Sequence, residues 1–283
     1  MCTGVRAGTI RTRARTQSSI AASGGDGNWL LVNASPDILQ QLRSFEELQP
    51  QRALRDTAIA AILLMDAQID HCTGLYMLRE HRARHRLWCT RLVREDLSEA
   101  NPVLRILEHY CGIEWNEIEP DGVPFTIDPV PGLMFEAQTL SSNAPPYSSR
   151  RDKPLPGDNI GVTIIDAASE ARLFYAPGIG AIDDALWSQM ERADCVLVDG
   201  TVWTDDEMIR LGISGKSGRA MGHLAQSGPG GMIEWLDRLP AQVRRVLIHI
   251  NNTNPILDED SPERELLTRH HIEIAYDGME IQL

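Results

Sequence analysis

Apolar and polar positions along the chain alternate between two patterns. Short unbroken apolar runs, as in Thr57–Met65, Asp194–Asp199 and Arg245–Ile250, read as strands buried on both faces. Between them lie stretches with helical spacing: Ile38–Phe45, Leu75–Ala83, Arg91–Ser98, Val103–Tyr110, Asp183–Ala193 and Met232–Arg238. Pro36 and Asp37 suit the start of the first of these, and Asp183 and Asp184 the first turn of the fifth. Segments Thr16–Ala22 and Trp29–Asn33 flank the turn formers Gly24–Asn28 and predict an antiparallel hairpin. Further strands are expected at Arg86–Thr90, Ile113–Ile118, Phe125–Ile127, Leu133–Ala137, Ile160–Ile165 and Ala171–Tyr175. A terminal hairpin is expected from Ile272–Tyr276, Asp277-Gly278 and Met279–Leu283. Strands alternating with helices predict a layered α/β fold, and no linker divides it, so one domain over 1–283 is expected.

Residues 141–158 break the pattern with prolines, serines and charges, and a loop of that length in a compact domain is usually functional or disordered. Tyr147, Arg150 and Arg151 are its candidates for meeting a substrate, against the plainer reading of a solvated loop tip. Gly212–Gly222, glycine-rich with Lys216 and Arg219, reads as mobile.

Composition narrows the picture a little. Hydrophobic residues are 42% and charged residues 24%, ordinary for a globular protein. A net charge of −13 disfavours non-specific binding to nucleic acid or anionic membrane. No apolar run approaches the roughly 20 residues that span a bilayer, so membrane insertion is not expected. The five cysteines, Cys2, Cys72, Cys89, Cys111 and Cys195, form no C-x-x-C pair and fit a reduced, cytoplasmic protein. Arg6, Arg11, Arg13 and Arg15 lie in an acid-free stretch, but that stretch runs directly into a strand, against a transit peptide.

Three apolar strands end on groups that can bind metal or move protons: Asp70-His71, Asp199 and His249. Strand ends on one edge of an α/β layer are a common place for a site. Two histidines and a carboxylate form the facial set of non-haem Fe(II) centres. On the residues alone, the plainer account is that Asp70 caps a helix and His71 packs beside it. Competing motifs are weaker. Gly157–Gly161 lacks the lysine and helix of a phosphate loop, and no Gly-x-Ser-x-Gly elbow is present. Cys72 beside His71 could be a nucleophile but reads better as a core thiol. His81, His85, His109, His270 and His271 read as surface residues.

Asp66-Ala67-Gln68-Ile69-Asp70-His71 stands in frame with the His-x-His-x-Asp-His signature and resembles the metallo-β-lactamase superfamily. Arg6–Ile20, Asn33–Asp37, Gln68–Thr73, Ala144–Ser148, Pro156–Gly161, Leu173–Gly178, Val198–Thr201, Met221–Gln226 and His249–Glu263 extend the likeness. Through them nearly the whole chain resembles the pyrroloquinoline quinone biosynthesis protein B family. The resemblance implies an αββα sandwich and a part in making the redox cofactor pyrroloquinoline quinone (PQQ) from a peptide with a cross-linked Glu and Tyr. It implies one divalent metal, Fe(II), held by Asp70, His71 and His249, and hydroxylation of the tyrosine ring. Gln68, His223, Asn251 and Asn254 would then contact the substrate or support the ligands, and Asp199 would support strand ends. The alternative it carries is a non-catalytic carrier of PQQ or its precursor to the periplasm. The expected partner is the peptide-derived precursor, with a homodimer allowed for.

Two departures from the signature matter. The superfamily's first two histidines are Asp66 and Gln68 here, and Ala176-Pro177-Gly178 stands where a bridging aspartate is usual. A binuclear zinc hydrolase needs those ligands to hold a bridging hydroxide, so hydrolysis is not expected. The family also opens with a strand and a C-x-C-x-x-C zinc knuckle, of which Cys2 is the last cysteine. The expectation is that both are missing and that no structural zinc is held by Cys2 alone.

Overall fold

The computed structural model describes residues 1–52 and 56–283, with Cys2 described by its backbone only. Two compact units are distinguished within the chain. One is built from residues 16–139 and 143–171, the other from 1–15, 140–142 and 172–282.

The first unit holds the apolar run read above as a buried strand. Strands β1 (Ile20–Ala22), β2 (Trp29–Val32), β3 (Ile59–Leu63), β4 (His85–Cys89) and β5 (Ile113–Glu117) form a sheet in that order. Strands β1 and β2 pair antiparallel, as the Gly24–Asn28 turn predicts, and the remaining pairs are parallel. Central β3 is buried because β2 and β4 flank it, and Ile62, Leu64, Leu75, Leu87 and Leu97 share its core. The helix Arg91–Ser98 starts at Thr90, whose hydroxyl accepts the Val93 N–H at 3.2 Å. Strands β6 (Phe125–Thr126), β7 (Leu133–Thr139) and β8 (Ile160–Asp166) form an antiparallel ladder in the same unit.

The second unit is a parallel array, β9 (Arg172–Ala176), β10 (Cys195–Asp199), β11 (Arg244–Ile248) and β12 (Ile272–Ile274), each strand hydrogen-bonded to the next. Helices Asp184–Glu191, Met232–Asp237 and Pro262–Arg269 supply Leu186, Met190, Ile233, Leu236 and Leu267 to its core.

Three expectations are corrected. The terminal hairpin does not form: β12 pairs parallel with β11, and residues 279–283 join no strand. The alternation in Ile272–Ile274 signalled a strand, but its partner is a distant strand rather than the next segment. Leu75–Ala83 is not an α-helix; its place is taken by a 3-10 segment, Thr73–Leu78. The loop 141–158 has neither helix nor strand, yet it is tied down. Arg150 meets Asp158 at 2.8 Å, Asp96 at 3.0 Å and the Leu92 carbonyl at 2.9 Å. The Tyr147 hydroxyl donates to the Ala67 carbonyl, and Arg151 to that of Ala144. These side chains tie the loop to itself, to the helix Arg91–Ser98 and to the segment after β3 rather than standing at a solvated tip.

Candidate functional site

In the first unit, β3 runs out at Leu63 and the chain is steered by side-chain and backbone bonds into a short helix, Ile69–Cys72. The Met65 N–H donates to Asn33 Oδ1 at 3.0 Å, and the Met65 carbonyl accepts the Ile160 N–H at 3.0 Å. Asp66 bridges to Asn159. Its carboxylate is buried and accepts the Gln68 N–H at 2.8 Å. The same carboxylate lies 2.8 and 2.9 Å from Nδ1 of buried His71. A carboxylate can only accept, so the proton sits on Nδ1 and the Nε2 lone pair points the other way. His71 Nε2 lies 3.8 Å from Asp70 Oδ2, near the roughly 3–3.5 Å that separates two ligands of one metal with bonds of about 2.1 Å.

This corrects the plainer reading of Asp70 and His71. The N-cap of the helix is Gln68, Asp70 lies in its first turn, and His71 is gripped by a carboxylate rather than merely packed. Gln68 Nε2 donates to the Asn143 carbonyl at 3.2 Å, so its amide braces the loop. The Cys72 thiol is pushed up to about 12, by burial above all and then by the charges of Asp66 and Asp70. A thiol so hard to ionise is no nucleophile.

In the second unit, β10 ends on Asp199 and β11 ends one residue before His249, with Asp199 opposite Ile248 in the register. Gly200 lets the strand ends close up: its N–H donates to the Ile248 carbonyl at 2.6 Å, and a Cβ there would meet that oxygen at 2.9 Å. Asp199 is fully buried and accepts four bonds. They come from the Ile179 N–H (2.9 Å), the Thr201 N–H (2.9 Å), the Thr201 hydroxyl (2.6 Å) and His223 Nδ1 (2.7 Å). Burial pushes its carboxyl up, but the neighbouring His223, His249 and the Thr201 hydrogen bond outweigh it and hold the group below the usual range. His223 follows Gly222, which caps the helix Gly218–Met221 in the left-handed conformation at φ 98°. His249 is itself left-handed, at φ 59°, rare for a residue with a Cβ. The His223 and His249 rings stack at 5.3 Å. Ligand atoms of Asp199, His223 and His249 lie within 4.8 Å of one another, a spacing that suits a metal, but the acceptors of Asp199 are already committed.

Two other expectations fare differently. Asn251 lies half-buried, its amide 3.0 Å from Thr253 Oγ1 and 3.1 Å from Met208 Sδ. Asn254 is wholly buried, donating to the Gly200 carbonyl at 2.9 Å and to Gln226 Oε1 at 3.2 Å. Its bonds shape the loop after β11. His85, expected at the surface, is buried with Nε2 at 2.8 Å from the Leu78 carbonyl, and burial pushes its pKa down. Two members of these networks were not singled out from the sequence as site residues, Asp66 as the partner of His71 and Thr201 beside both other histidines. For Asp66 the signal was its place in the signature where the superfamily has a histidine, and for Thr201 that it lies within a few residues of a strand end.

A family model for the beta-lactamase superfamily domain matches residues 28–250. The coenzyme PQQ synthesis protein B of Azoarcus sp. (strain BH72) is 68% identical over 282 residues, covering 100% of this chain and 92% of that protein. That of Cupriavidus taiwanensis is 62% identical with the same coverage. The chain belongs to the coenzyme PQQ synthesis protein B family. Among solved structures, the Zn(2+)-bound PqqB from Methylobacterium extorquens aligns with a TM-score of 0.88 at 34% identity, covering 100% of this chain and 92% of that one. The fold is therefore the metallo-β-lactamase fold with mixed α/β sheets. In this PqqB-family chain the nitrogen and oxygen donors at the strand ends suit a borderline divalent metal. Among the described residues, no helix is long and apolar enough to cross a membrane.

Proposed function

We propose that this protein acts in the synthesis of pyrroloquinoline quinone as a mononuclear, Fe(II)-dependent oxygenase. Its substrate is the peptide-derived precursor that contains the joined Glu and Tyr, and the reaction hydroxylates the tyrosine ring. Asp70, His71 and His249 would hold the metal. The observation that carries this reading is the Asp66–His71 pair: at the position where the superfamily signature has its first metal-binding histidine, the chain instead has a carboxylate that orients the remaining histidine. That substitution removes a ligand from a two-metal centre and strengthens a one-metal centre. Full-length kinship to coenzyme PQQ synthesis proteins B supports the pathway.

A bound iron with open positions supplies the activation of dioxygen. One oxygen atom enters the ring and the other leaves as water, which takes two electrons from a reductant and two protons. The protein's own groups orient and exclude. Asp66 keeps the proton on His71 Nδ1, and Asp70, half-exposed in the first helical turn, supplies charge to balance the cation. His223, whose Nδ1 is backed by Asp199 at 2.7 Å, would exchange a proton with the substrate. The M. extorquens relative binds Zn(2+), a divalent metal that nitrogen and oxygen donors also suit.

The test is to strip the protein, load it anaerobically with Fe(II) or Zn(II), and add dioxygen, a reductant and a Glu-Tyr peptide. Iron-loaded protein should yield a product heavier by one oxygen atom, and the zinc form none. Asp70→Ala should weaken metal binding at least about a hundredfold, beyond the range seen when only an outer partner of a ligand is lost. Unchanged metal content in Asp70→Ala, or tight binding of the finished quinone with no turnover, would overturn the reading, the latter in favour of a carrier.

A further inference from the structure

The Thr201 hydroxyl has one proton and four polar neighbours. Oγ1 lies 2.6 Å from Asp199 Oδ1, 2.8 Å from His249 Nδ1, 2.9 Å from the His249 carbonyl and 3.1 Å from His223 Nδ1. We propose that Thr201 is a positioning residue whose hydroxyl fixes His249 as the Nδ1–H tautomer and so presents Nε2 as the ligand nitrogen. The proposal rests on the reading that His249 binds the metal.

Hydrogen-bond chemistry selects this arrangement. A carboxylate oxygen offers lone pairs only, so a hydroxyl oxygen 2.6 Å away must point its proton at it. If that proton turned to His249 instead, two oxygens with lone pairs would face each other at 2.6 Å with no hydrogen between them. The Thr201 proton is thus engaged by two oxygens that can only accept, Asp199 Oδ1 at 2.6 Å and the His249 carbonyl at 2.9 Å, so Oγ1 is an acceptor towards His249 Nδ1, which must carry the hydrogen that spans the 2.8 Å gap. His223 follows the same logic without the intermediary, since Nδ1 donates directly to Asp199 Oδ2 at 2.7 Å. One buried carboxylate thus sets both stacked imidazoles, one by contact and one through a hydroxyl.

The backbone positions His249 separately. The Gly200 N–H bonds the Ile248 carbonyl at 2.6 Å and the Asn251 N–H bonds the Thr201 carbonyl at 3.1 Å, clamping the left-handed His249 from both sides. Neither clamp uses the threonine side chain. Thr201→Val, nearly isosteric, removes the hydroxyl and keeps the clamps, while Thr201→Ser keeps both.

The experiment uses full-length protein labelled with 15N-histidine and freed of metal, read by long-range 1H–15N spectra, with His249→Gln assigning the ring. Wild type and Thr201→Ser should show His249 with a protonated Nδ1 and a bare Nε2, and Thr201→Val a mixture of tautomers. In competition with a chelator for Zn2+, Thr201→Val should bind about tenfold more weakly and Thr201→Ser within about threefold of wild type. A wild-type spectrum and affinity in Thr201→Val, while His249→Ala loses the metal, overturns the role of the hydroxyl and leaves His249 a ligand. Full metal retention in His249→Ala overturns the ligand assignment, and the spectrum then decides alone whether the hydroxyl sets the tautomer.

Discussion

The two compact units each use a buried carboxylate to orient a histidine at a strand end, but they do it differently. In the first, Asp66 grips His71 directly with both oxygens, five residues away in sequence. In the second, Asp199 reaches His223 directly and His249 only through Thr201, with carboxylate and ring 50 positions apart in sequence and set at the ends of separate strands. A charged acceptor stabilises a ring N–H about twice as strongly as a neutral one. The direct grip is therefore the stronger orienting device, and the relayed one is easier to perturb without unfolding the protein. The supports differ too. Asp66 stands on a segment braced by the 143–159 loop, through Gln68 to Asn143 and Tyr147 to Ala67, whereas Asp199 stands on a parallel ladder.

The largest expected effect tests that support. Arg150 is 15% exposed between Asp96 and Asp158, which are 5% and 2% exposed, so Arg150→Met leaves two buried carboxylates without their cation. The cost should be about 3–5 kcal/mol in urea unfolding. Burial already pushes the Asp96 carboxyl up, against the Ser148 hydrogen bond and Arg150. A carboxyl with a raised folded pKa favours the fold below its unfolded value of about 3.9 and loses that contribution as pH rises through the folded value. The deficit of the variant should therefore shrink as pH is lowered towards 4, measured against wild type at each pH. A variant that is as stable as wild type would mean that the loop does not depend on this clasp.

Next in size is Asp66→Asn, which keeps the shape and removes the charge. Metal affinity by chelator competition should fall about 10–100-fold. The loss should exceed that of Thr201→Val; equal losses would erase the distinction between a direct and a relayed grip.

Much of the fold was legible because parallel strands buried on both faces must be apolar throughout, and β3, β10 and β11 each fell within two residues of the expected runs or close to it. Their polar ends were legible for the same reason, since polarity at the end of such a run is conspicuous. What the ends do was not. Thr201 gains its role only when β10 and β11 lie in register, and nothing local marks one threonine out. Asn251 and Asn254 look alike in a polar run, yet the fold buries the second completely. Asp66 and His71 sit across a strand-to-helix turn, a spacing with no periodic signature. Tyr147 and Arg150 were noticed for their chemistry, which the loop spends on its own anchoring.

The smallest expected effect sets the scale for the others. Arg244 and Glu273 join β11 to β12 through two parallel hydrogen bonds, 2.6 and 2.9 Å. Their side chains are 36% and 45% exposed, so water screens the pair. Glu273→Gln should cost no more than about 1 kcal/mol, and less in high salt. The Arg244 hydrogen bond, opposed by burial and aided by the Arg244 charge, holds the Glu273 carboxyl below its usual range. A depressed folded pKa gives stability that is present above the unfolded value of about 4.3 and disappears as pH falls through the folded value. The small difference between wild type and Glu273→Gln should therefore be visible at neutral pH and vanish in acid, the opposite trend in wild type to that of Asp96. If Glu273→Gln instead cost as much as Arg150→Met, burial would not be what separates the ion pairs of the two units, and the reasoning that ranks Asp66 above Thr201 would fall with it.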